Sequence, residues 1–262
     1  MKQFVIWVSL LGLAYPASGQ FKKIRTQEVS DSITTVAVDR PGDLYIITKE
    51  GQLQHFDKDG KLYSLYKKDP SPTLFDPRDG SRLFAYFRPV QQYAYMSPSF
   101  EITQRIQLDS AFSIDPWLVC ASGDYNVWIL DAADWSLKKI DTKKGLVLTE
   151  TVLPPAFSKL KSDYLTLREY QGFLFIADHS KGIHVFNSLG NHLRTISVPL
   201  PSYFNFLGEE LYYQSGTSLI FFDLFSAETR ELKLPETSIF SVLTDERLFL
   251  IKPRQIHIYE VK

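Results

Sequence analysis

The chain has 262 residues, with 29 Lys and Arg against 30 Asp and Glu, and 44% of it is hydrophobic. That length can bury a large single core, and a formal net charge of -1 excludes a protein whose main task is to hold nucleic acid. A single cysteine, Cys120, excludes an internal disulfide, and its neighbours Leu118, Val119 and Ala121 read as the surroundings of a buried, inert thiol.

In chain order, residues 1–19 read as a cleaved export leader. Met1-Lys2-Gln3 is a short basic start, Phe4 to Tyr15 an apolar run, and Ala17 and Gly19 the small residues before a cut at Gln20. No cysteine follows the cut, which excludes a lipid anchor there. No later apolar stretch approaches the ~20 residues that a membrane-spanning helix needs. The expectation is a periplasmic or secreted protein.

From residue 20 onward one pattern recurs: an apolar strand, a polar turn, then a second apolar strand closed by a large residue. It runs from Asp43 to Asp57, Arg82 to Ser97, Trp117 to Asp131, Phe173 to Asn187, Glu210 to Asp223 and Arg247 to Glu260. The opening leucines, Leu44, Leu83, Leu118, Leu174, Leu211 and Leu248, stand 39, 35, 56, 37 and 37 residues apart. Six hairpins at a period near ~40 residues predict an all-β, six-bladed β-propeller, a ring of four-stranded sheets.

Short apolar runs upstream of the hairpins, at 34–38, 164–167, 203–206 and 239–243, read as inner strands. Amphipathic runs downstream, at 61–67, 102–108, 135–140, 193–198 and 230–234, read as outer strands with one wet face. The last hairpin has no downstream run, whereas Phe21 to Val29 has the outer-strand alternation. The N-terminal strand is therefore expected to complete the last blade and close the ring of one domain, residues 20–262.

The segment Asp43–Gly60, with Leu-Tyr, a hydrophobic pair, a Gly turn and Phe-Asp-x-x-Gly, resembles the NHL-type repeat, and Gly172–Gly190 looks like the same unit. A leader followed directly by Gln, with aromatic-rich strands, is similar to exported bacterial propellers of the Bacteroidota. Related six-bladed lactonases and phosphotriesterases would imply a Glu, Asn, Asn and Asp set on the inner strands around a calcium ion. Asn occurs here only at 126, 187, 191 and 205, and of these only Asn205 falls on an inner strand; Asp115 and Glu169 complete no set. No metal or other cofactor is expected.

His55, His184 and His257 fall at equivalent places in third strands, which reads as a structural role; His192 and His179 lie in turns. No nucleophile signature or phosphate-binding glycine loop is present.

The long gap between the third and fourth hairpins reads as an insertion, 141–162, that could be shortened without harm to the blades. Placed beside the second-to-third-strand turns, it predicts a partner surface of Lys49, Arg88, Asp124, Tyr125, His179, Lys181 and Arg254, with Leu146, Leu148 and Phe157 as apolar anchors. The expected function is a non-catalytic interaction module, a monomer or a subunit of an envelope or secretion assembly, with a protein or other envelope component as partner. The alternative is a hydrolase or lactonase with a non-standard axial site.

Overall fold

The computed structural model describes residues 20–199 and 203–262; the expected leader, 1–19, lies outside them. Twenty-four strands form six four-stranded antiparallel sheets. Blade 1 holds β2 (Ile33–Val38), β3 (Leu44–Thr48), β4 (Leu53–Phe56) and β5 (Leu62–Tyr66), counted outward from the axis. Blade 2 holds β6 (Leu74–Asp76), β7 (Leu83–Phe87), β8 (Gln92–Met96) and β9 (Ile102–Gln107). Blade 3 holds β10 (Pro116–Ala121), β11 (Val127–Asp131), β12 (Ser136–Asp141) and β13 (Leu146–Val152).

Blade 4 holds β14 (Tyr164–Tyr170), β15 (Phe173–Asp178), β16 (Gly182–Phe186) and β17 (His192–Ile196). Blade 5 holds β18 (Phe204–Leu207), β19 (Glu210–Ser215), β20 (Ser218–Asp223) and β21 (Thr229–Lys233). Blade 6 holds β22 (Phe240–Leu243), β23 (Arg247–Lys252), β24 (Gln255–Val261) and, outermost, β1 (Phe21–Glu28). The expected closure is present: β1 pairs with β24 from Phe21 opposite Val261 to Glu28 opposite Gln255.

The period-2 alternation of each middle strand explains the ring. In β3, Leu44 and Ile46 pack toward blade 6 with Val242 and Ile258, while Tyr45 and Ile47 pack toward blade 2 with Leu83 and Phe87. A strand buried on both faces needs mostly apolar residues, and β3, β7, β11 and β16 are buried throughout, with Thr48, Asp131 and His184 as their polar members. Six such inter-blade clusters, one for each adjacent pair, close the circle.

Blade 3 departs from the sequence reading. The hairpin 117–131 supplies its first and second strands, β10 and β11, instead of its second and third. The run Ser136–Ile140, expected as a wet outer strand, is buried β12. Residues 146–152 of the supposed insertion form β13, which pairs with β12 from Val152 opposite Ser136 to Leu146 opposite Asp141. The two lysines that suggested a solvent face are paired instead: Lys138 Nζ lies 2.9 Å from Asp131 and 2.7 Å from Asp134, and Lys139 Nζ 2.7 Å from Asp124. Among the described residues, no helix is long and apolar enough to cross a membrane.

Candidate functional site

A cavity of about 1230 Å³ sits on the ring axis, walled by the first-to-second-strand turns of all six blades. Its floor is a charged knot. Asp76, at the end of β6, accepts two hydrogen bonds from Nε of Arg78, at 2.9 and 2.7 Å. Nη1 of Arg78 reaches past blade 3 to the carbonyl of Glu169 on β14. Arg168, 8% exposed, donates to Asn205 Oδ1 at 3.0 Å and Phe204 O at 3.2 Å, and its other nitrogen lies 3.8 Å from Asp76. Burial favours the neutral form of Asp76, but the two guanidiniums outweigh it and hold the carboxyl below its ordinary range.

Glu169 ties blade 4 to blade 3. Its Oε2 accepts from Ser122 Oγ at 2.6 Å and Trp128 Nε1 at 2.7 Å, and its Oε1 from the Gly123 amide at 2.8 Å. These donors fix the Ser122–Asn126 turn, on which Tyr125 stands at the rim with a left-handed backbone, φ 67°, and 68% exposed. Below it, the Arg82 guanidinium lies 3.5 Å over the Tyr95 ring and 5.5 Å from the Tyr125 ring. On the next wall, Tyr170 and Phe206 stack with centroids 4.0 Å apart.

The sequence-predicted residues divide among four places. Lys49, Arg88, His179, Lys181 and Arg254 do share the second-to-third-turn face, with all but Arg88 exposed. Arg88 is pinned there, its guanidinium 3.7 Å over the Trp117 ring and its Nε donating to Trp117 O at 2.9 Å. Asp124 and Tyr125 lie on the opposite face, because their turn joins first and second strands, and of the two Tyr125 lines the cavity. Although partial burial opposes it, hydrogen bonds led by Lys139 hold the Asp124 carboxyl at about 2.

Leu146 and Leu148, 52% and 47% exposed, stand on the outer edge of blade 3. Phe157 is buried, its ring 4.1 Å from that of His184, and cannot serve as an exposed anchor. Asp115, flagged beside Glu169 for an axial set, pairs with Lys161 before the start of β10, at the other end of that strand.

Two of the histidines, His184 and His55, belong to cross-strand relays. His184 joins Asp178 (3.1 Å) and Thr195 (2.8 Å), and His55 joins Asp43 (2.9 Å) and Ser64 (3.4 Å). Burial pushes the His184 imidazole below its ordinary range, although Asp178 works against the shift.

Asp39, Asp43 and His55 bring three ligand-type atoms within 4.8 Å of one another. Those atoms already have partners: Asp39 accepts from the Gly42 and Asp43 amides and Tyr45 Oη, and Asp43 from the Lys58 amide and His55. This donor set fits a hydrogen-bonded blade corner better than a cation.

No family model matches the chain, and no curated protein is similar to it in sequence. Solved structures are similar in fold. BamB from Moraxella catarrhalis aligns at 11% identity over 92% of this chain and 99% of its own, with TM-score 0.52. Virginiamycin B lyase from Staphylococcus aureus aligns at 13% over 93% and 100%, with TM-score 0.59. The extracellular domain of a hybrid two-component system from B. thetaiotaomicron aligns at 12% over 86% and 33%, with TM-score 0.53. At such identities the likeness establishes the propeller fold.

Proposed function

We propose that the chain is an exported, non-catalytic interaction module of the bacterial envelope that takes a segment of a protein partner into the axial cup. One observation carries the reading. The cup is large enough for several side chains, and its deep polar groups, Asp76, Arg78 and Glu169, are held by one another and by neighbouring donors. A general acid or base needs a carboxyl free to exchange a proton with the substrate, and both oxygens of Glu169 are occupied. The rim, by contrast, presents exposed Tyr125 and the turns of six rigid blades, which suits recognition by a pre-organised surface. The basic, apolar and small-residue order of 1–19 supports export. The step from propeller to binding is by analogy with other rings of this kind.

A photo-crosslinking amino acid placed at Tyr125, and separately at Lys181 on the other face, tests the reading in cells. Adducts with a defined protein from position 125 and none from 181 are expected. Adducts from 181 alone would move the site to the second-to-third-turn face. Consumption of a small molecule by the purified protein, abolished by Glu169→Gln, would favour the hydrolase reading.

A further inference from the structure

We infer that the cup recognises a single carboxylate, presented by a peptide segment and clamped at Arg82 between Tyr95 and Tyr125. The inference rests on the cup being the binding site and names the chemistry it selects.

Three observations converge on Arg82. Its guanidinium carbon already lies over the Tyr95 ring, 3.5 Å from the centroid, so its place is set before any ligand arrives. Its fork has one long hydrogen bond, 3.5 Å to Gln104 Oε1, and no carboxylate partner among the described residues. Of the other cup cations, Arg78 is paired with Asp76 and Lys58 with Glu246 at 2.7 Å; Arg40 is likewise without an ion pair among the described residues, but it is exposed and no aromatic ring orients it. A fork held over a ring, with free N–H edges, matches the two oxygens of a carboxylate.

Tyr125 is the second observation. A tyrosine at φ 67° adopts a backbone that L side chains rarely hold, and here it keeps the ring 5.5 Å from the guanidinium and open to solvent. A glycine would relieve the strain but remove the upper wall. The third observation is the charge around the clamp. Asp79, three residues before Arg82, and Asp245 across the mouth line the same cup. They disfavour a dianion such as phosphate more than a singly charged carboxylate. Mixed charge with aromatic walls further suits a peptide that carries apolar side chains beside its carboxylate.

A fluorescein-labelled peptide carrying one Glu among Gly and Leu residues, titrated against the purified protein by anisotropy, supplies the test. A matched Gln peptide should bind about tenfold more weakly, and Arg82→Ala should reduce the Glu peptide to that level, the scale of losing a bidentate charged pair. Arg82→Lys, with charge but no fork, should fall between. Tyr125→Gly should weaken binding while the melting temperature stays level or rises, a split that a purely structural role would not produce.

Equal binding of the two peptides, indifference to Arg82→Ala, or displacement by inorganic phosphate more readily than by free glutamate overturns the carboxylate assignment. If the assignment fails but crosslinks at position 125 persist, the cup reading stands. If both fail, that reading falls with it.

Discussion

At the scale of single residues, the cup floor shows how a buried charge is tolerated. Asp76 and Arg78 have side chains only 10% and 22% exposed, and each is costly to bury alone. Their pairing, the Glu169 carbonyl on Arg78 and the approach of Arg168 together supply what water would have given. Replacing Asp76 by Asn keeps the shape and leaves two guanidiniums facing a neutral amide. Asp76→Asn is therefore expected to cost about 3–5 kcal/mol in denaturant-measured stability. A loss under about 1 kcal/mol would mean that solvent in the cup already screens the pair. The residues of this floor were only partly legible beforehand. Glu169 and Asn205 stood out as polar groups near inner strands, but their partners Arg78, Arg168, Ser122 and Trp128 are spread over three different blades. No spacing along the chain encodes contacts made across a ring.

At the scale of strands, the six-fold repeat was legible because each middle strand is predominantly apolar on both faces, a pattern that survives substitution of particular residues. The strand order within blade 3 was not. A first-to-second hairpin and a second-to-third hairpin have the same apolar signature, so Leu118 to Leu130 matched the other five copies in length to within one residue while standing one strand further in. Lys138 and Lys139 reinforced the error: paired with Asp131, Asp134 and Asp124, they are buried yet read as a wet face. That single shift moved Asp124 and Tyr125 to the opposite face and turned the fourth strand into an insertion.

The consequence can be measured. Shortening 143–160 removes β13 and with it Leu153 and Phe157, 2% and 9% exposed in the cluster between blades 3 and 4. Losing either side chain alone is on the scale of 2–5 kcal/mol. The shortened protein should lose its cooperative thermal transition. A normal melt would restore the insertion reading.

At the scale of the whole molecule, stability depends on closing a ring whose last blade is built from both ends of the described chain. The cross-strand pairs of β1 with β24 do part of this, and one carboxylate does more. Glu236, on the link from blade 5 to blade 6, accepts from His257 and from Tyr259 Oη at 2.6 Å, with Lys252 Nζ at 3.3 Å and Lys23 Nζ at 3.9 Å. It thus reaches β24, β23 and β1 at once.

Partial burial would raise its pKa, but the hydrogen bonds from Tyr259, His257 and Lys252 prevail and hold the carboxyl at about 2, below its ordinary 4.5. An acid depressed in the folded state stabilises fully above the ordinary value, and the contribution disappears as pH falls from 4.5 through about 2. Glu236→Gln should therefore melt below the parent protein at pH 7, with the difference shrinking steadily as the solution is taken below pH 4.5. A difference that is constant across that range would show that the carboxylate's charge plays no part in closure. Deleting 20–29 removes the strand itself, reopens the edge of β24 and should cost several kcal/mol. In that truncated protein Glu236 keeps His257, Tyr259 and Lys252 but loses Lys23, so most of its pH dependence should survive the deletion. If the pH dependence vanished with β1, the clasp would act through the N-terminal strand instead of through β23 and β24.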